Sequence, residues 1–463
     1  MFAEAAATFA CRTLVEGEGV RLSWSEALAL GRSLAAGLPR ARAFVMLRCR
    51  LTPATLAAYL ALMADGHVPL LVEADLAPDL AQALAARYRV DAILDPEADT
   101  PLALTGHAPV MLAPELALLL TTSGSTGSPK LVRQSAAGIA AHARAIASYL
   151  DLDANERPWL HLPMSYSYGL SVIHSHMAVG ATICLTQATV MEPAYWDGLA
   201  QARATSIAGV PFHYAAIRRL GEARLDIPSL KTLTQAGGRL PPALVSHFAA
   251  WAERTGRRFI VMYGQTEAGP RIAWLPPERA AAAPDAIGIP IPGVTLDLVD
   301  LEGLPVPAGE AGEIHVTSPG VMLGYAHGPE DLARGDDQRG RLRTGDLARL
   351  GDDGLYRIVG RSARLLKVFG LRVNLDEVEA RLHALGLPAL AFGEDDRLQV
   401  LLEGEGDPAA VRQQLVQLFS LPPRGIEVRA GPPVARAPSG KVVRDALEAA
   451  WAAAGPAPAQ GAA

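Results

Sequence analysis

Apolar and polar positions follow two rhythms along this chain. Helical spacing marks residues 25–36 and 53–64, while short apolar runs at 43–47 and 68–72, the second after Gly66, read as strands. Strands alternating with helices predict a largely parallel sheet. The run Leu-Ala-Leu-Leu-Leu at 116–120 reads as a buried strand. Ser135 stands where a helix cap belongs, and Ile139, Ala143, Ile146, Tyr149 and Leu150 fall on one face of a helix running to 150. Further apolar runs predict strands at 181–185, at 206–214 leading into a loop, at 233–240 and at 259–262. Pro/Gly-rich stretches at 288–293 and 303–312 predict hairpins of a small β subdomain, followed by a strand at 312–316. Asp-Asp-Gly at 352–354 predicts a turn between two alternating runs. From about 361 the pattern restarts, with Asn374 or Asp376 opening an acidic amphipathic helix through 382. The fold class expected is α/β. Residues 1–360 form a large domain of parallel-rich βα subdomains plus the small β subdomain, and 361–455 form a small α+β domain. The Ala/Pro/Gly-rich end, 456–463, is expected to be a disordered tail. No internal repeat is present.

Composition narrows the class. The 463 residues exceed one ordinary core. Half are hydrophobic and 19% charged, a normal globular balance, and a net charge of −6 argues against a nucleic-acid surface. Cys11, Cys49 and Cys184 show no metal or disulfide spacing. The first residues lack the basic start and apolar core of a signal peptide, and the apolar stretch 51–64 is too short to span a bilayer. A cytoplasmic protein without membrane insertion is the expectation. Lys and Arg total 42, yet only Lys130, Lys231, Lys367 and Lys441 are lysines. Where arginine serves as the generic cation, a lysine marks a place that needs a compact, flexible ammonium. Lys231 also fits the chance survival of a rare residue.

Candidate chemistry begins at 121–130, Thr-Thr-Ser-Gly-Ser-Thr-Gly-Ser-Pro-Lys, directly after a strand. It offers hydroxyls at six positions, two glycines and one lysine. Glycines bring backbone N–H groups close to an anion, and the lysine adds a point charge. The residues alone leave two readings, a polyphosphate cradle or a polar surface loop. The stretch is neither a Walker loop, since no Lys-Ser or Lys-Thr follows its second glycine, nor a hydrolase elbow, since Ser123 replaces the first glycine. Aromatics in 159–169 either line a pocket or pack a core. The small residues Ala236, Gly237 and Gly238 either leave room for a flat ligand or make a tight turn. The strand end Tyr-Gly-Gln-Thr-Glu at 263–267 offers an aromatic, a hydroxyl and a carboxylate, suited to a nucleotide and its metal or to a solvated turn. Asp346, after Gly345, suits both hydroxyls of a ribose, or a turn. Residues 360–370 read as a boundary, and 435–441, Ala-Arg-Ala-Pro-Ser-Gly-Lys, as a flexible loop.

Taken in order and spacing, the loop 122–130, the strand end 263–267, Arg343 to Asp346, the segment 360–370 and the loop 438–441 resemble the adenylate-forming superfamily: acyl- and aryl-CoA ligases, luciferase-like enzymes and adenylation domains. The resemblance covers about 116–445. It implies that Thr122, Ser123, Gly124, Ser125, Thr126, Gly127 and Lys130 hold the ATP β- and γ-phosphates. Ala236, Gly237 and Gly238 lie on the adenine, and Met262, Tyr263 and Gly264 belong to the same nucleotide site. Thr266 meets the α-phosphate and Glu267 holds Mg²⁺. Asp346 takes the ribose, Arg361 is a second ribose or phosphate contact, and Lys441 bridges the carboxylate and the α-phosphate. A mobile small domain then presents Lys367, Gly370 and Arg372 for thiol attack on the acyl-adenylate. The hinge position, commonly Asp or Lys in the family, is Ala363 here.

The implied activity is ATP- and Mg²⁺-dependent activation of a small carboxylic acid, with pyrophosphate release, then transfer to CoA or a phosphopantetheinyl carrier protein. Relatives that activate amino acids hold the α-amine with a carboxylate in the pocket segment, and 165–168 contains no acidic residue. A buried ammonium without a partner is costly. The expected substrate is therefore an aryl or medium acyl acid without an α-amine, in a pocket shaped by Tyr166, Tyr168, Phe212, Tyr214, Ala236 and Gly237. The alternatives are an enzyme that stops at the adenylate or uses a non-thiol acceptor, and a non-catalytic acyl-adenylate binder.

Overall fold

The computed structural model describes residues 1–121, 130–300, 302–369, 371–394, 396–419, 421–436, 442 and 444–454. The expected phosphate loop 122–129, Gly370 and the 437–441 loop with Lys441 lie outside the described residues, as does the expected tail. The chain divides into two compact units. The larger holds Met1–Asp297, His315–Thr344 and Asp352–Arg357; the smaller holds Leu298–Ile314, Gly345–Gly351 and Ile358–Ala463.

Two mixed sheets, each with a parallel centre and antiparallel edges, build the larger unit. One has seven strands in the order Gly324–Ala326, Leu131–Ser135, Leu116–Thr121, Val68–Glu73, Phe44–Cys49, Ala92–Leu94 and Leu102–Leu104. The other has nine, its centre being the parallel strands Arg258–Tyr263, Thr232–Gln235, Ser206–Gly209, Pro158–Leu160 and Ile183–Leu185. Period-two alternation shows why each sheet is buried on both faces. Val45 and Leu47 enter one core while Phe44 and Met46 enter another. In the second sheet Ile260 and Met262 join the first core, and Phe259 and Val261 a third. The shared core thus lies between the sheets and includes the helices Pro53–Ala64 and Ser167–Ala178. Thr52 caps the first of these, its hydroxyl accepting from Thr55 N at 3.2 Å, with Pro53 pre-set for the first turn.

Differences from expectation cluster at helix starts. Residues 206–214 are a short strand, Ser206–Gly209, and then a helix, Pro211–Leu220, because a proline in the first turn favours helix initiation. The helix Ser167–Ala178 shows no helical periodicity in sequence because it is buried nearly all round.

In the smaller unit the hairpin Leu365–Val368 and Leu371–Asn374 leads into the helix Leu375–Ala384. Asn374 caps that helix, accepting from Asp376 N at 3.0 Å. Strands Ala389–Glu394, Arg397–Glu403 and Ile426–Gly431 form a three-stranded sheet. Val378, Leu382, Leu398, Val400 and Val428 are central to its core.

The buried histidines of the larger unit make its stability pH-dependent. Burial lowers His142 and His176 from 6.5 to about 4, and His174 to about 3. Above pH 6.5 both folded and unfolded chains keep them neutral. Below it the unfolded chain binds protons that the fold refuses, so stability falls as pH drops from 6.5 toward 4, by up to roughly 1.4 kcal/mol per histidine per pH unit. The expected outcome is a urea midpoint that falls between pH 7 and pH 5, with a shallower slope in His176→Gln; a midpoint independent of pH over that range contradicts it.

Candidate active site

The strand Arg258–Tyr263 ends in Gly264, Gln265 and a single turn, Thr266–Ala268. The chain folds back so closely that a Cβ on Gly264 would stand 2.2 Å from the Pro270 carbonyl oxygen. This return holds Thr266 and Glu267 at the strand's carboxyl end, where ligands of α/β sheets bind.

Thr266 is fixed from two sides. Its hydroxyl lies 2.9 Å from that of Ser167, and its carbonyl accepts from Gln134 Nε2 at 3.0 Å. Glu267 accepts at Oε1 from the Tyr325 hydroxyl at 2.8 Å, and its carbonyl accepts from Met322 N at 2.8 Å. Lys130 places its ammonium over the ring of the same tyrosine, 3.6 Å from the centroid. Burial, and then the charge of Glu267, pushes the Tyr325 hydroxyl well above its ordinary value, so it stays a donor at neutral pH. Tyr325 therefore joins two of the residues expected from sequence. It carries no motif, and only the antiparallel pairing of Gly324–Ala326 with Leu131–Ser135 brings it here. Ser167, within the 165–168 segment, and Gln134 carry no sequence signal for these contacts.

Glu267 suits a divalent cation that arrives with phosphates. No described residue donates to its second carboxylate oxygen. Among the described residues no group of three His, Cys, Asp or Glu is placed to hold a metal. Magnesium is commonly bound in this way, by one or two carboxylates plus substrate phosphates.

The acid-side residues divide. Ala236 is buried, and Gly237 has φ +78. A Cβ on Gly237 would stand 2.2 Å from the Tyr166 hydroxyl oxygen, so only glycine lets that ring approach. Tyr166 and Gly237 are thus together, one residue from Ser167. Tyr168 is buried and donates to Thr234 O at 2.9 Å. Tyr214 donates to the same carbonyl at 2.8 Å but packs between Phe248 and Phe259. Phe212 is 64% exposed. These last two do not join Tyr166 and Gly237, because 211–220 is a helix whose inner face carries Tyr214 into the core and whose outer face carries Phe212.

In the smaller unit, Asp346 and Arg361 are paired, with Arg361 Nε donating to Asp346 Oδ1 at 3.2 Å. Gly345 takes φ +74, and its carbonyl accepts from Ser362 Oγ at 3.1 Å. Ala363 lies in the turn Ser362–Arg364, and the backbones of residues 367 and 372 are opposite each other in the hairpin.

A family model described as AMP-binding enzyme matches residues 2–326. Feruloyl-CoA synthase of Amycolatopsis sp is 30% identical over 317 residues, covering 66% of this chain and 61% of that protein. A long-chain-fatty-acid–CoA ligase of Salmonella typhimurium is 30% identical over 330 residues, covering 66% of this chain and 56% of that protein. The match therefore spans less than two thirds of these relatives' length. Among solved structures, o-succinylbenzoate CoA synthetase from Bacillus subtilis, in complex with its acyl-adenylate intermediate, superposes with a TM-score of 0.75 at 20% identity, covering 96% of this chain and 97% of that one. That likeness shows the fold: α/β, with a large and a small domain.

Tyr325→Phe keeps the ring beneath Lys130 and removes the hydroxyl that orients Glu267. A hydrogen bond to a charged group is worth about 1.5–3 kcal/mol, so magnesium–ATP binding is expected to weaken roughly 10-fold or more. Calorimetric titration checks this, alongside a melting curve that shows an intact fold; unchanged affinity would remove the phenol from the site.

Proposed function

Since this chain belongs to the family of AMP-binding enzymes, we propose that it joins a carboxylic acid to a thiol by way of an acyl-adenylate. The observation that carries the reading is the fixed pair Thr266 and Glu267, held by Ser167, Gln134 and Tyr325 at a strand end. The motifs that accompany it along the sequence are those expected of an adenylating enzyme.

The first half-reaction brings two anions together. A carboxylate oxygen attacks the α-phosphorus of ATP, and the bond to pyrophosphate breaks. The nucleophile is already ionised at pH 7, so no side chain need remove a proton. The task is positioning and neutralisation of charge. Thr266 presents its hydroxyl to the α-phosphate, while Lys130 and the 122–127 loop receive the β- and γ-phosphates. Glu267 holds Mg²⁺, which neutralises phosphate charge and polarises its oxygens. Asp346 and Arg361 take the ribose. Lys441 links the two reacting groups, and residues 361–455 act as the domain that delivers it. Lys367, Gly370 and Arg372 then serve thiol attack by CoA or a carrier protein, with the chain pivoting near Ala363.

The acid lacks an α-amine, because 165–168 offers no carboxylate to hold one. The three free cysteines, two of them buried, suit a reducing cytoplasm. Among the described residues no helix is long and apolar enough to cross a membrane.

ATP–pyrophosphate exchange across a broad panel of acids tests the reading. Lys441→Ala is expected to slow adenylate formation by ~10³-fold with little change in ATP affinity. A variant that exchanges at the wild-type rate takes Lys441 out of the chemistry.

A further inference from the structure

Arg271 follows the turn that carries Thr266 and Glu267, and it is 1% exposed. Its Nη1 approaches the Tyr149 hydroxyl at 3.3 Å and Met262 Sδ at 2.8 Å, and its Nη2 donates to Ser171 Oγ at 3.0 Å. The guanidinium lies over the Tyr168 ring, 4.4 Å from its centroid. Its Nε is buried and has no acceptor. All of these neighbours are neutral, and His142 and His176 nearby are kept neutral by burial. No described carboxylate pairs with this cation.

Among the described residues the other fully buried arginine, Arg133, also has an Nε without an acceptor, but it carries a counter-charge. Arg133 is 0% exposed, donates to Asp337 at 2.5 Å and reaches the carbonyls of Arg334, Gly335 and Leu323. A buried charge left without a counter-charge is strongly unfavourable. The missing partner of Arg271 is therefore expected to come from a ligand.

A small cavity in the larger unit lies beside the residues that hold Arg271. Gln134, His142, Ser171, His174 and Pro270 are among the residues that line it. Ser171 also binds Arg271, His142 Nε2 lies 2.5 Å from the Arg271 carbonyl oxygen, and Gln134 holds the carbonyl of Thr266. Gln134 and Ser171 thus stand between the cavity and, respectively, Thr266 and the guanidinium. The helix Ser167–Ala178 sets the distance between them: Ser167 meets Thr266, and Ser171, four residues on, meets Arg271. Four residues of α-helix rise ~6 Å.

We propose that the acid activated here carries a second carboxylate, about 6 Å from the reacting one, and that Arg271 receives it. The inference rests on the function proposed above. The free Nε and the adjacent Nη2 form the side of the fork that takes both oxygens of a carboxylate. A spacing of one helical turn fits four- to six-carbon aliphatic diacids and benzene dicarboxylates. It is served poorly by a monoacid of the same shape, which would leave the guanidinium unpaired.

The test is pyrophosphate exchange with matched pairs: butyrate and succinate, valerate and glutarate, hexanoate and adipate, benzoate and isophthalate. At least one diacid is expected to exceed its monoacid in kcat/KM by ~100-fold or more, since a site with a buried polar group discriminates against the analogue that lacks its partner. Arg271→Met should erase that preference while Arg271→Lys restores part of it, with melting curves showing that both variants fold. The wild-type comparison stands without any variant. Turnover of monoacids with no gain from a second carboxylate overturns the proposal and leaves the adenylating reading intact. Exchange with no acid at all, by a protein that binds ATP, overturns both.

Discussion

The helix Ser167–Ala178 is the constraint from which the larger unit's site follows. Eleven of its 12 residues are buried, so it has no polar face to turn to water and belongs between layers. It contributes to the core shared by both sheets and cannot shift without disturbing close-packed neighbours on every side. A helix clamped in this way is a rigid ruler. Its first residue fixes Thr266, its second-turn serine fixes Arg271, and Tyr166, just before it, closes on Gly237.

The polar groups around that ruler serve to place charge. Tyr325 shows the logic, since one phenol orients a carboxylate through its hydroxyl and holds an ammonium on its ring face. Burial keeps the phenol protonated, so it remains a donor across the neutral range. The result is a cation and an anion held near each other without being paired directly, each left with capacity for an outside partner. A direct Lys130–Glu267 salt bridge would have consumed that capacity.

Much of this was legible in the sequence because strand ends carry their chemistry locally. Tyr263 ends its strand, Thr266 and Glu267 follow it within four residues, and Asp346 and Arg361 are paired. The alternating strands of 43–47 and 68–72 and the cap at Ser135 were readable for the same local reason. What escaped depends on distance along the chain. Tyr325 reaches Lys130 only through a strand pairing nearly two hundred residues apart in sequence. The helix Ser167–Ala178 escaped because complete burial erases the periodicity by which a helix is recognised. Arg271, just after Gly269 and Pro270, carries no sequence signal that sets it apart from the other arginines. Its significance lies in what fails to surround it.

The scarcity of lysine has a practical side. Lys231 pairs with Glu156 at 3.4 Å and is 58% exposed, whereas Lys130 rests on the aromatic face of Tyr325. An amine-selective reagent meets only four side-chain targets in the entire chain. Chemical footprinting with such a reagent would read Lys130, Lys367 and Lys441 almost without background, and Lys231 would supply an internal standard in the same molecule.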